Sequence, residues 1–369
     1  MRKINVARPY IDNNDINSVI QVLKSGWLSL GPKYIEFEKA VSKYARVKYS
    51  CAVSSGTAGL HLAVKAIGLK KGDEVITTPF SFIASSNCLL YEGVKPVFVD
   101  IEESSYNIDP LKIERAITNK TKAILVVHIF GQSADMKSIL RIAKKYNLKV
   151  IEDACESFGA YAGTKMTGTL GDVGIYAFYP NKQMTTGEGG MIVSNNKKII
   201  NLCNSMRNQG RDVYSDWLGH QRLGYNYRMD EISAALGITQ LKKLNRMIEI
   251  KRKIAKRYNK NFKNSKEVIV QNPFTRESHS WFVYVIRVPE KRDSLIEIMQ
   301  KKGIQTKPYF PVIHLQPFMR KEFGYKKGDY PVSEKVASQT VALPFFIGLT
   351  DSDIDYISIN ILETIKLLR

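Results

Sequence analysis

The stretch A-I-L-V-V-H-I-F-G-Q-S-A-D-M-K-S-I-L-R-I-A-K-K-Y-N-L-K-V-I-E-D, residues 123–153, decides the architecture. Residues 123–129 form an apolar run interrupted only by His128, which reads as a strand buried on both faces. A helical pattern follows over 136–146, and a second strand over 149–153 ends on Asp153. Strand, helix and strand in so short a span indicate parallel pairing with the helix lying on the sheet.

The same alternation extends toward the N-terminus. Residues 51–53, 74–77 and 96–100 read as strands, while 83–91 and 110–117 read as helices. S-S-G-T-A-G at 54–59 opens a further helix whose apolar face is Leu60, Val64 and Ile67. The predicted class is α/β, with a mostly parallel central sheet flanked by helices. Ligands bind such sheets beyond the carboxyl ends of the strands. Residues 54–57, 78–82, 128–132 and 153–156 fall at those ends.

Upstream, Ile16, Val19, Ile20 and Leu23 form a helical stripe stopped by Gly26, followed by the loop G-W-L-S-L-G-P and a helix over 34–44. Downstream of Gly190 the pattern changes. A helix over 229–243 continues through 246–262 as a connecting rod, followed by strand 280–288, helix 292–302, strand 305–308 and helices 333–340 and 351–367. We expect a large domain at 1–244, including an N-terminal arm, and a smaller C-terminal α/β domain at 245–369.

The 369 residues are 44 % hydrophobic with a mean hydropathy of −0.21, and no run approaches the roughly 18 apolar residues of a membrane helix. The N-terminus lacks a signal-peptide core, so the expectation is a cytoplasmic protein away from membranes. Cys51, Cys88, Cys155 and Cys203 are scattered, with neither disulfide nor metal-ligand spacing. The net charge of +20 is dispersed over the chain, not gathered in a basic helix or tail. It reads as a lysine-rich surface, or as attraction for an anionic substrate, ahead of nucleic-acid binding.

The chemistry centres on Y-A-F-Y-P-N-K-Q-M-T-T-G-E-G-G, residues 176–190. Lys182 lies between an aromatic run and a glycine-rich turn, where partial desolvation favours the neutral amine that Schiff-base chemistry needs. Alone it could be a loop lysine. Asp153, ending a strand, needs a cationic partner such as a protonated pyridine nitrogen, although a helix cap or ion pair would serve equally. Residues 54–59 make an anion site at a helix N-terminus, without the G-K-[ST] of a nucleotide triphosphatase. Phe82 offers either a stacking face or plain core.

The combination resembles the DegT/DnrJ/EryC1/StrS family of sugar aminotransferases, which have the fold type I (aspartate aminotransferase-like) architecture. The resemblance runs from G-W-L-S-L-G-P-K-Y through S-S-G-T-A-G-L-H-L-A, I-E-D-A-C-E-S-F-G-A, N-K-Q-M-T-T-G-E-G-G and L-G-Y-N-Y-R-M-D-E-I to P-Y-F-P-V-I-H-L-Q-P. It implies that pyridoxal 5′-phosphate (PLP) is the cofactor and that Lys182 carries it as a Schiff base and shuttles the proton. By the same resemblance Asp153 pairs with the pyridine nitrogen, Phe82 stacks on the ring, and Gly56 and Thr57 hold the phosphate. Asn226 would reach the phosphate of a neighbouring subunit, so a homodimer with shared active sites is implied. Glu156 stands where perosamine-synthase-type members carry an acid near the cofactor. Trp27, Ser29, Tyr309 and His314 would contribute to the sugar pocket.

One position departs from the pattern. Many members bind the phosphate with a serine five residues before the lysine, and this chain has Ala177 there. Tyr176, Asn181 or a water are the candidate replacements. A branch of the family with histidine in place of the lysine dehydrates or deoxygenates sugars, so Lys182 favours transamination. The implied reaction moves an amino group from L-glutamate to a nucleotide-linked 4-keto-6-deoxy sugar. A 3-keto sugar or cyclitol ketone is the alternative substrate, and a non-enzymatic regulatory or nucleic-acid-binding protein on the same scaffold is the alternative class.

Overall fold

A computed structural model of the chain describes residues 3–212, 219–271 and 279–368. Strands β1 (Tyr49–Val53), β2 (Glu74–Thr77), β3 (Lys95–Phe98), β4 (Thr121–Val127) and β5 (Lys149–Asp153) come first in the chain. A small hairpin, β6 (Tyr161–Ala162) with β7 (Lys165–Met166), precedes β8 (Val173–Ala177) and β9 (Gly190–Ser194). Seven of these form one sheet in the order β1-β9-β8-β5-β4-β2-β3. Every neighbouring pair is parallel except those made by β9, which runs against both β1 and β8. Apart from Lys122, β4 is buried throughout, which explains its apolar run without alternation.

The register brings the functional ends together. Val127 pairs with Asp153, and Asp153 with Ile175, at the carboxyl edge of the parallel strands. Because β9 is antiparallel, its first residue, Gly190, lies at that edge opposite both Val53 and Ala177. The turn carrying Lys182 and the turn at residues 54–57 are therefore neighbours. A Cβ on Gly190 would stand 2.6 Å from the Ser55 carbonyl oxygen, so only glycine permits the approach.

Helix Glu231–Phe262, capped by Asp230, runs unbroken from one core to the next. Its earlier turns bury Leu241, Leu244, Met247 and Ile248 with Phe37, Phe158 and Phe178. Its later turns bury Ile254, Tyr258 and Phe262 with a second sheet and with Ile4. That sheet is antiparallel, β10 (Ile269–Val270), β11 (Tyr284–Arg287) and β12 (Thr340–Leu343), in the order β10-β11-β12.

Three expectations change here. Residues 305–308 make only the single bridge Lys307 to Ala342, and Pro308 lacks the N–H to extend a ladder. Helix Pro331–Gln339 stops before Thr340, where a β-branched run becomes β12. Residues 110–117 hold a four-residue helix, Pro110–Ile113, followed by the 3₁₀ turn Glu114–Ala116.

The N-terminal helix Asn13–Ser25 stops at Gly26 as expected, but it docks through a polar residue. Asp15 is buried, and its carboxylate accepts from Thr239 and Gln240 of the long helix at 2.6 and 2.9 Å and from Lys243. Ile16, Ile20 and Leu23 are left exposed. No helix among the described residues is long and apolar enough to cross a membrane, and no group of three metal-ligating side chains occurs among them.

Candidate active site

Asp153 reaches the cavity because β5 ends there. It is 6 % exposed and takes two hydrogen bonds: Ser85 Oγ donates to Oδ2 at 2.7 Å and the Cys155 N–H donates to Oδ1 at 3.2 Å. Ser85 lies on helix Ala84–Leu90 and is itself bonded to Ser81 at 2.8 Å. Among the described residues no cation pairs with Asp153. A buried carboxylate with its charge uncompensated is costly, and so this one is suited to a cationic partner from outside.

Lys182 is held by the turn that leaves β8. Phe178 N–H donates to Gly189 at 2.9 Å, Thr186 N–H to Phe178 at 2.9 Å, and Lys182 N–H to Tyr179 at 2.9 Å. Gln183, next in the chain, donates its side-chain N–H to the Glu156 carbonyl and to Ser280 Oγ. Lys182 Nζ then stands 3.7 Å from Glu156 Oε1 and 4.1 Å from the centre of the Phe282 ring. Burial pushes the Glu156 carboxyl up to about 7, against the opposing pull of the Lys182 charge and of the Phe130 N–H at 3.0 Å.

The helix Gly56–Ala66 points its N-terminus into the same space. Ser55 caps it by accepting the Ala58 N–H at 3.1 Å, and Gly59 N–H bonds to the Ser55 carbonyl. Among the described residues the N–H groups of Gly56 and Thr57 bond to nothing, and with the helix dipole they form an anion cradle. A Cβ on Gly56 would meet that of Ala177 at 2.7 Å, so Ala177 forms the cradle's wall.

One cavity of about 480 Å³ is lined by Gly56, Thr57, Phe82, Asp153, Glu156, Lys182 and Tyr309, together with Ala177. The Phe82 ring is 58 % exposed to it, unlike the fully buried Phe80. The structure thus unites seven residues proposed from sequence. It also adds Ser85 and Phe282, and it brings in Asn181, one of the candidate replacements for the phosphate-binding serine. Ser85 was findable, one helical turn beyond Phe82, whereas Phe282 arrives from β11's lead-in with no local signal. Asn181 Oδ1 is buried with no hydrogen-bond partner among the described residues.

Four proposed residues are not brought to this cavity by the chain itself. Asn226 is exposed in a bridge to Asn208, and Trp27 and Ser29 are exposed together, with Trp27 Nε1 donating to the Ser29 carbonyl at 3.0 Å. His314 is a correction: it is fully buried, its Nε2 lies 3.0 Å from Glu334, and burial holds its pKa below the ordinary histidine value. Tyr176 is not free to replace a phosphate-binding serine, because its hydroxyl donates to Thr167 at 2.7 Å inside the core.

Comparison with known proteins identifies a family and individual relatives. The family model described as the DegT/DnrJ/EryC1/StrS aminotransferase family matches residues 9–362. GDP-perosamine synthase of Escherichia coli O157:H7 is 37 % identical over 98 % of this chain and 99 % of its own. PseC of Helicobacter pylori, an aminotransferase of pseudoaminic acid biosynthesis, superposes with a TM-score of 0.95 at 27 % identity, over 99 % of this chain and 100 % of its own. NtdA of Bacillus subtilis, solved with bound cofactor PMP, superposes with a TM-score of 0.88 at 31 % identity, over 96 % of this chain and 83 % of its own.

Proposed function

The chain belongs to the DegT/DnrJ/EryC1/StrS aminotransferase family, and from that we propose that it moves an amino group from L-glutamate to the C4 ketone of a nucleotide-linked 4-keto-6-deoxy sugar. The cofactor is PLP, and the residues present fit it. Among the described residues a buried carboxylate lacks a cation and two N–H groups at a helix end lack acceptors, and an apolar ring stands exposed beside a lysine. The convergence of Lys182, Asp153 and the Gly56–Thr57 cradle in one cavity carries the reading.

When bound, PLP supplies an electron sink for the carbon that gains or loses a proton. The chain supplies the rest. Asp153, fixed by Ser85, would set its carboxylate against the pyridine nitrogen, and the Gly56 and Thr57 N–H groups would take the phosphate. Phe82 would offer its face to the ring. Lys182 would hold the cofactor and carry the proton at the donor carbon and then at the sugar carbon. Glu156, raised to about 7 and 3.7 Å from Lys182 Nζ, sits where it can take up or return that proton. On this reading Tyr309, which lines the cavity, contacts the sugar, and Trp27 and Ser29 of the N-terminal loop do so from a second copy of the chain.

We further propose a cytoplasmic homodimer that shares its sites and acts in cell-surface polysaccharide synthesis, with no nucleic-acid or membrane partner. The large PLP-binding domain is residues 1–244 and the small one 245–369. Similarity to a GDP-perosamine synthase favours a GDP-linked substrate. The test incubates the PLP-loaded protein with glutamate and GDP-, UDP- or dTDP-linked 4-keto-6-deoxy sugars, following 2-oxoglutarate and the amino-sugar product. The 4-amino product from one of them is expected. Amination only of a 3-keto sugar or a cyclitol ketone would replace the substrate assignment.

A further inference from the structure

The segment Tyr225-Asn226-Tyr227 is built as a platform. Its backbone is bonded on both sides: Tyr225 N–H to Met206 at 2.6 Å, Gln209 N–H to Tyr225 at 3.0 Å, Tyr227 N–H to Arg207 at 3.0 Å and Ser54 N–H to Tyr227 at 2.8 Å. In an extended chain alternate side chains point to opposite sides. Tyr225 and Tyr227 accordingly turn inward and stack, ring centres 5.0 Å apart at 12°, while Asn226 is left exposed. The amide of Asn226 makes no hydrogen bond among the described residues.

Beneath the two tyrosines is a polar cluster unlike the rest of that core. His61 is 4 % exposed; its Nδ1 lies 3.1 Å from the Tyr227 hydroxyl and its Nε2 2.8 Å from Glu92 Oε1. Lys65, one helical turn beyond His61, donates to Glu92 Oε2 at 2.8 Å, and the Tyr225 hydroxyl lies 3.4 Å from Glu92 Oε1. Burial works to raise the Glu92 pKa, yet the bonds from Lys65 and His61 outweigh it and hold the group below the ordinary glutamate value. As a carboxylate Glu92 accepts from His61 Nε2, and His61 Nδ1 and the Tyr227 hydroxyl bond each other. Every polar group of the cluster is thereby used, and both tyrosines are pinned at their far ends.

We propose that His61, Glu92 and Lys65 are positioning residues for Asn226, fixing the direction in which its free amide is presented to the phosphate of the cofactor in a second copy of this chain. The inference rests on the shared-site reading above. A phosphate recognised by one amide needs that amide held within a fraction of an ångström, which a loop carrying two unpinned tyrosines would not provide.

The test measures affinity, not turnover. Apo-protein is titrated with PLP and with pyridoxal, which lacks the phosphate, using the Schiff-base absorbance as the signal. Asn226→Ala should lose about 10- to 100-fold in affinity for PLP and little for pyridoxal. His61→Leu should lower the PLP-to-pyridoxal preference by about ten-fold, and Lys65→Met, at the outer end of the cluster, by less. The double variant Asn226→Ala/His61→Leu should lose no more than Asn226→Ala alone, since His61 acts through Asn226.

His61 also lies on the helix that carries Gly56 and Thr57. A further loss in the double variant would show that it acts through that cradle and would overturn the proposal. An unchanged preference in His61→Leu and Lys65→Met would overturn it equally. An unchanged preference in Asn226→Ala would refute the shared-site reading itself and take this inference with it. Should His61→Leu fail to fold, Glu92→Gln carries the same comparison.

Discussion

Lys182 Nζ and Glu156 Oε1 face each other at 3.7 Å, inside a site where burial has raised the carboxyl to about 7. Between about 4.5, the ordinary value, and about 7, the folded apo-protein keeps on Glu156 a proton that the unfolded chain has released. Stability therefore falls as pH rises through that window. Glu156→Gln removes the dependence, and the apo-variant should gain on wild type by up to roughly 3 kcal/mol as pH passes from below 4.5 to above 7. Urea unfolding at several pH values checks this, and parallel profiles for the two proteins would refute the raised carboxyl.

Ala177 forms the wall of the anion cradle at Gly56 and Thr57 without offering it a donor. Ala177→Ser should tighten PLP about ten-fold, the worth of one hydrogen bond to a charged acceptor, and leave phosphate-free pyridoxal unaffected. Equal tightening of both in equilibrium titrations would mean that the hydroxyl acts elsewhere.

Phe82 is 58 % exposed, so truncating it opens no buried void in the folded chain. Phe82→Ala should change apo-protein stability by less than about 0.5 kcal/mol while weakening PLP by about ten-fold through lost stacking. A large drop in apo melting temperature would assign the ring to the core instead.

Ile16, Ile20 and Leu23 expose one apolar face of helix Asn13–Ser25, near the exposed Trp27 and Leu28. On the homodimer reading a second copy covers that face. The double variant Ile20→Asp/Leu23→Asp should run as a monomer in light scattering, and its PLP affinity should fall with the loss of the shared phosphate contact. A variant that remains dimeric would place the interface elsewhere.

Much of this was legible in the sequence because the parallel sheet writes itself as apolar runs. The bounds of β2 and β5 match the residues read from pattern alone, and helix Glu231–Phe262 kept its period throughout. The chemistry was legible where one motif sits at one strand end, as with Lys182 and Asp153. Legibility failed where partners came from distant chain. Ser85 bonds Asp153 across 68 positions, and Phe282 meets Lys182 from the second sheet's lead-in. His314 misled for a related reason: its neighbours in Y-F-P-V-I-H-L-Q-P suggest a pocket, yet Glu334, twenty positions on, claims it. Asp15 shows the converse, a charged residue docking a helix whose apolar stripe faces out.

The most direct test of the account is where the cofactor attaches. PLP-loaded protein is reduced with borohydride, digested and mapped by mass spectrometry. The account predicts the phosphopyridoxyl adduct on Lys182, and its loss together with the Schiff-base absorbance in Lys182→Ala. An adduct on another lysine, such as the buried Lys251, or an undiminished absorbance in Lys182→Ala, would contradict it.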